Sequence, residues 1–164
     1  MSTRIKKKKW PRKNLGELLN FLEEQHPDGI SLNDLAEKMD MERGGVSNMF
    51  RKDDARLSKV EQIARQYGYE LKLFFPVRHL EEGYIPRPPR IHYENSGNLA
   101  GLAKYMQDSE FSFPLIADGI GVSPGVLHRA FRSGDIKLST FNALIDMLGI
   151  CVIWKFLKIN DDEN

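Results

Sequence analysis

The chain matches itself. Set against its own sequence at an offset of 81, residues 31–75 and 112–156 share ten identities in 45 positions. They are Ser31/Ser112, Ala36/Ala117, Gly44/Gly125, Phe50/Phe131, Arg51/Arg132, Asp54/Asp135, Leu57/Leu138, Ser58/Ser139, Gly68/Gly149 and Phe75/Phe156. Ordinary residue frequencies give roughly three by chance. Other pairs exchange one apolar residue for another, as in Leu35/Ile116, Met39/Ile120, Val46/Leu127, Ile63/Leu144 and Leu71/Val152. A duplication of this length is the strongest constraint in the sequence, because whatever fold the first copy adopts the second must also adopt.

The first copy reads as four helices and a strand. Asn14, with Glu17 three residues on, is placed as the N-cap of a first helix bearing Leu15, Leu18, Leu19 and Leu22 on one face, ending by Pro27 and Gly29. Ser31 with Asp34 caps a second helix, whose inner face is Leu32, Leu35, Ala36 and Met39. A tight turn at residues 40–43 leads to a third helix with Val46, Met49 and Phe50 inward. Ser58 with Glu61 reads as a further capping box, opening a fourth helix with Val60, Ile63, Ala64 and Tyr67 on its core face. Gly68 closes that helix, and residues 69–75 are rich in strand formers.

The second copy repeats this grammar. Ser96 or Asn98 opens a helix with Leu99, Leu102, Ala103 and Met106, and Ser112 precedes Phe113, Ile116, Ala117 and Ile120. Ser123-Pro124 is an N-cap followed by proline at the first helical position, with Val126, Leu127, Ala130 and Phe131 inward. Ser139 opens the last helix, Gly149 closes it, and residues 150–157 form the strand. The organisation read from the sequence is therefore a basic flexible arm at 1–13, copy one with its strand at 14–75, a proline-rich linker at 76–97, copy two with its strand at 98–158, and an acidic tail at 159–164.

Charge is distributed unevenly along these segments. The net charge of +1 hides an arm carrying Arg4, Lys6, Lys7, Lys8, Lys9, Arg12 and Lys13 with no acid. Residues 14–80 hold 9 basic and 12 acidic side chains, and residues 81–164 hold 8 and 11, so each half is −3. A basic arm on an acidic body points to a polyanionic partner, nucleic acid first among them. The single cysteine, Cys151, excludes an internal disulfide and fits a reducing cytoplasm. No run of 18 apolar residues occurs and no apolar segment follows the N-terminal charges, so neither a membrane span nor a signal peptide is expected, and a cytoplasmic location is.

Residues 31–68 resemble the helix-turn-helix of phage-repressor-type (lambda-repressor-like) transcription regulators. The likeness lies in Leu35-Ala36-Glu37-Lys38-Met39, the short turn, the third helix from Gly44 to Phe50, and the stretch from Leu57 to Gly68. Ser123-Pro124-Gly125-Val126-Leu127-His128-Arg129-Ala130-Phe131 resembles the same family's turn and recognition helix. The resemblance implies a mainly α fold, with two lambda-repressor-like helix-turn-helix units in tandem, each followed by a β-strand. The trailing strand is similar to that of a subset of these regulators, antitoxin-type repressors included, in which it pairs across a dimer. A lone strand leaves its backbone groups unsatisfied. Residues 69–75 and 150–157 are therefore expected to pair antiparallel with each other, making the chain a monomeric intrachain pseudo-dimer. The competing arrangement is a homodimer in which each strand pairs with a second chain.

In such a fold the third helix enters the major groove while the second crosses the backbone. The resemblance thus implies Arg43, Ser47, Asn48 and Arg51 in copy one, and Ser123, His128, Arg129 and Arg132 in copy two, as DNA-contacting residues. Glu42, Gly44, Gly45 and Gly125 stand beside them. Arg43 suits guanine, Asn48 adenine and Glu42 a cytosine amino group. Arg51 and Arg132, at matching positions, suit phosphates. Lys6, Lys7, Lys8, Lys9, Arg12 and Lys13 would add phosphate charge from the arm. Many family members carry glutamine at the second position of helix two, where this chain has Leu32 and Phe113, so that phosphate brace is missing. Because the two reading faces differ, an asymmetric target is expected, or binding by one copy, with copy one favoured by its place beside the arm.

The expectation is a sequence-specific double-stranded DNA-binding protein, a transcriptional repressor. The alternative is a protein-interaction module or antitoxin-like protein whose helix-turn-helix units bind a protein partner. An enzyme is not expected: His26, His79, His92 and His128 are scattered, none at a metal-ligand spacing or beside a nucleophile, and no phosphate loop occurs. No cofactor and no metal are expected.

Overall fold

Apolar residues spaced three and four apart fold into eight α-helices among the described residues of a computed structural model, which describes residues 15–26, 28–76, 83, 97–107 and 112–160. The helices are α1 (Gly16–Gln25), α2 (Leu32–Lys38), α3 (Arg43–Lys52) and α4 (Leu57–Gln66), followed by strand β1 (Tyr69–Phe74). A single 3-10 turn at Gly97–Leu99 then runs into α5 (Ala100–Gln107), followed by α6 (Phe113–Ile120), α7 (Pro124–Ser133), α8 (Leu138–Leu148) and strand β2 (Ile153–Lys158). The fold is mainly helical, with β1 and β2 forming a two-stranded antiparallel sheet. Residues 1–14, 27, 77–82, 84–96, 108–111 and 161–164 lie outside the described residues, among them the arm, the Asn14 expected to cap α1 and most of the linker.

The element order occurs twice, and so do its backbone signatures. Besides Gly29 (φ 86), the first copy has positive φ at three helix ends, Asp40 (φ 50), Asp53 (φ 49) and Gly68 (φ 86). Each recurs 81 residues later as Gly121 (φ 75), Gly134 (φ 72) and Gly149 (φ 64). Side chains rarely tolerate this conformation, though aspartate does so better than most. Asp53 has a second task, since its Oδ1 accepts the Leu15 backbone N–H at 3.4 Å. Asp40 is exposed.

The chain divides into two compact units. Unit 1 comprises residues up to Leu71, with Lys137–Ser139 and the segment from Phe156 onward. Its core is the leucine face of α1 (Leu15, Leu18, Leu19, Leu22) with Leu35 of α2, Val46 of α3 and Leu57, Val60 and Ile63 of α4. Phe21 stacks on Phe156 at 4.7 Å and meets the Tyr69 ring edge-on at 4.7 Å, which fastens β1 and β2 to α1. Unit 2 comprises residues 72–136 and 140–155. Here Phe131 and Phe141 are fully buried, and Phe141 meets Phe75 and Trp154, both at 6.2 Å.

Strand register follows from a bond beyond the strand ends, where the Ile159 N–H donates to the Gly68 carbonyl at 2.9 Å. This sets Tyr69 against Lys158 and Leu73 against Trp154, and the latter pair are themselves 81 residues apart. Arg56 and Lys137, another pair at that offset, form an isolated antiparallel bridge. Leu73 turns its N–H to the outer edge, where Asn98 Oδ1 accepts it at 3.2 Å.

The structure corrects the sequence reading at several joints. Residues 150–152 are not in β2, because the Ile150 N–H is used by the Ile145 carbonyl to close α8. The expected box at Ser58 and Glu61 does not start α4. Arg56, extended and bridged to Lys137, is the N-cap, and Ser58 sits inside the first turn. The matching helix α8 also starts one residue early, with its first donors satisfied from elsewhere: Leu138 N–H by the Ala55 carbonyl and Ser139 N–H by Asp54 Oδ1. Ser31 behaves as expected, its Oγ accepting from Asn33 and Asp34. Met49 and Phe50 are half-buried rather than inward, whereas Phe131, the counterpart of Phe50, is fully buried.

Two stability outcomes follow, both measurable by urea denaturation. Phe131→Ala costs about 3–5 kcal/mol, and Phe50→Ala under about half of that. Asp40→Gly gains about 0.5–1 kcal/mol by relieving a left-handed side chain. Asp53→Gly yields no such gain, because it removes the acceptor of the Leu15 N–H.

Candidate nucleic-acid interface

The α2–α3 pair is built by local chemistry. Ser31 starts α2, and the Met41 N–H returns to the Ala36 carbonyl at 2.9 Å to tie the turn. Glu42 is extended and begins α3 without a side-chain cap. Val46 anchors α3 in the core at zero exposure. Arg43, Ser47 and Arg51, each four residues apart, are all exposed and share one row of the helix. Asn48 lies on the next row, half-buried, and its Oδ1 accepts from Arg51 Nη2 at 2.6 Å. The expected adenine reader and the expected phosphate contact are thus joined, and Arg51 orients the Asn48 amide.

Gly44 and Gly45 owe nothing to the protein's own packing. A Cβ at Gly44 would meet no atom within 4 Å, and at Gly45 only the Met41 methyl at 3.5 Å. Neither has a positive φ. Gly125, at the corresponding place in α7, is equally open, with Ser123 Oγ at 3.8 Å.

The α6–α7 pair has the same plan. Ser112 Oγ accepts the Leu115 N–H, and Gly121 supplies the left-handed cap of α6. Ser123 is the N-cap of α7 without a side-chain bond, and Pro124 fills the first helical position. Leu127, Ala130 and Phe131 face inward, leaving His128, Arg129 and Arg132 exposed. The His128 ring is 5.2 Å from Phe113, so part of it is held against α6. Arg129 and Arg132 make no ion pair or hydrogen bond with the described residues. From Pro124 to Ser133 the helix carries these two arginines and no acid, while α3 carries Arg43, Arg51 and Lys52 against the flanking Glu42. Although each half of the chain is net acidic, these two helix faces are basic.

Lys6, Lys7, Lys8, Lys9, Arg12 and Lys13 lie outside the described residues, as does nearly all of the linker. Among the described residues no helix is long and apolar enough to cross a membrane, and no three His, Cys, Asp or Glu side chains are grouped as a metal site would need. Comparison with protein-family models, curated proteins and solved structures finds no match.

Unit 1 holds a further feature that no motif announces. A cavity of about 410 Å3 is lined by His26, Ser31, Asp34, Lys38 and Tyr67 among others. His26 and Tyr67 are 41 positions apart in sequence, and Tyr67 reads from its spacing as a core residue of α4. It is half-buried instead, with its hydroxyl oxygen out of solvent and unbonded. Burial, and secondarily the Asp34 carboxylate, push the Tyr67 phenol above its ordinary value of 10.0.

Ultraviolet titration should therefore show a phenol ionising above 10.0 that disappears in Tyr67→Phe. Asp34→Asn shifts it partway down, with the burial effect persisting. Because the folded value is raised, Tyr67 favours the folded state fully below pH 10.0 and this contribution is lost as pH rises through the folded value.

Proposed function

We propose that the chain is a sequence-specific double-stranded DNA-binding protein, a transcriptional repressor built as a single-chain pseudo-dimer of two helix-turn-helix units. In this reading α3 enters the major groove, α2 crosses the backbone, and the arm at 1–13 supplies most of the phosphate charge. Arg43 and Asn48 read bases, Ser47 assists, and Arg51 holds Asn48 while reaching a phosphate.

The observation that carries the reading is a basic, outward helix row at the second helix of a tight helix pair, in both copies, where residues 14–80 and 81–164 are each −3. The open glycines at the head of α3 support it further. In a helix each costs about 0.5–1 kcal/mol relative to alanine. Packing does not ask for them, whereas a backbone approaching a phosphate or base edge does.

Copy two supports a different partner. Leu115 is 52% exposed on α6, and exposed Met147 lies against Gly119 one turn further along that helix. These exposed apolar side chains on α6 and α8 favour a protein contact at copy two.

Fluorescence anisotropy with duplex DNA over a salt series tests the reading. Removal of residues 1–13 lowers the log–log salt slope by up to about 6. Arg51→Ala lowers the slope by about 1 and, by freeing the Asn48 amide, also loosens selectivity at the base pair Asn48 reads, while Arg43→Ala costs about 1–3 kcal/mol at one base pair. Gly44→Ala separates stability from function, raising thermal stability while weakening DNA binding. No binding by the full chain at low salt overturns the proposal.

A further inference from the structure

Pairing with β1 satisfies only one edge of β2. In an antiparallel ladder, alternate residues turn their backbone groups to the partner strand. The Ile159 N–H bonds the Gly68 carbonyl, so Ile153, Lys155 and Leu157 face β1, while Trp154, Phe156 and Lys158 face away from it. None of these three outward N–H groups is hydrogen-bonded among the described residues. The outer edge of β1 differs, since Asn98 covers the Leu73 N–H and Leu71 also has a partner. One edge of the sheet is covered and the other is open.

The open strand also carries most of the exposed apolar surface. Among the described residues six large apolar side chains are exposed, and four of them share one sheet face. They are Phe74 on β1, with Ile153, Leu157 and Ile159 on or just past β2. Edge strands are ordinarily guarded by proline, a bulge or an outward charge. β2 has no proline and, paired six residues to six, no bulge. Its Lys155 is drawn toward β1, with Nζ 5.5 Å from the centre of the Phe74 ring. Such an edge accepts an extended strand, and β2 is complementary to itself. Two copies laid antiparallel with Phe156 opposite Phe156 set Trp154 against Lys158 of the second copy, and each pair exchanges two backbone bonds. On the exposed face Ile153 meets Ile159, Lys155 meets Leu157, and no lysine opposes a lysine. Centring the pair on Lys155 instead would set lysine on lysine. Centring it on Leu157 would carry Ile153 past the end of the second strand.

We propose that the outer edge of β2 is a homodimerisation surface. A second copy of this chain adds its own β2 there, antiparallel about Phe156, to give a four-stranded sheet in the order β1–β2–β2–β1. The contact uses the same patch on both copies, so a two-fold axis closes it and association stops at two. The proposal rests on the sheet and is independent of DNA binding.

Sedimentation of the full chain from micromolar to millimolar concentration, with amide hydrogen exchange on the same samples, is the test. The mass doubles as concentration rises, and the Trp154, Phe156 and Lys158 amides gain protection with it. The Ile153, Lys155 and Leu157 amides, already bonded to β1, are protected throughout. Lys158→Pro removes an N–H that β1 does not use, so the amide spectrum of the fold is retained while dimerisation weakens at least about tenfold. Ile153→Glu and Ile159→Lys, both at exposed positions, each weaken it as well. An equimolar mixture of these two variants regains the dimer, because the new carboxylate and the new ammonium then face one another across the strands. This charge pair serves alone if the proline variant does not fold. The proposal is overturned by a chain that stays monomeric at millimolar concentration or grows past two copies. It is equally overturned by a dimer whose three outward amides exchange as freely as in the monomer, by a folded Lys158→Pro chain that dimerises unchanged, or by a mixture no tighter than its parts.

Discussion

A single β-strand carries backbone donors and acceptors along both edges, and it is stable only when something pairs with them. Each copy of this chain makes one strand, so the pairing of β1 with β2 is the constraint on which the rest depends. Its effects reach past the ladder. Phe156 of β2 stacks on Phe21 of α1, and Leu73 and Phe75 at the end of copy one pack in unit 2. The helices of each copy therefore close over apolar side chains that the other copy's sequence supplies. Asn98 then covers the outward Leu73 N–H, leaving one fewer open group on the sheet edge.

Much of this was legible because duplication amplifies weak signals. The leucine face of α1, the Ser31 cap of α2, the proline start of α7 and the closing glycines all stand in the sequence as they do in the fold. What was not legible came from distant partners. Nothing near Ser58 announces that Lys137 bridges Arg56 and shifts the start of α4, and nothing near Ser139 announces the Asp54 carboxylate. Local rules also place Phe50 and Phe131 alike, yet one is half-buried and the other fully buried. The α3 and α7 rows could be read from helical spacing, but the Asn48–Arg51 bond and the packing of His128 on Phe113 depend on side-chain positions that spacing does not specify. The cavity was invisible for the same reason, since its wall joins His26 and Tyr67, the residues that cap α1 and α4.

Charge distribution links the fold to the proposed activity. The net charge of +1 is the sum of a strongly basic arm and two halves of −3. An acidic body repels a duplex except where a basic surface is presented, so contact would be confined to the α3 and α7 rows and the arm. In the proposed reading such confinement would favour orientation over raw affinity, with the arm attracting the duplex and the helix row setting where the protein rests.

Selection from a pool of random DNA duplexes by the full chain, at moderate salt, tests the central claim most directly. The account predicts enrichment of one asymmetric motif, with Arg43→Ala losing selectivity at a single position of it while the rest is retained. A pool that emerges unenriched, or a motif indifferent to every residue of the Arg43–Arg51 row, would contradict it.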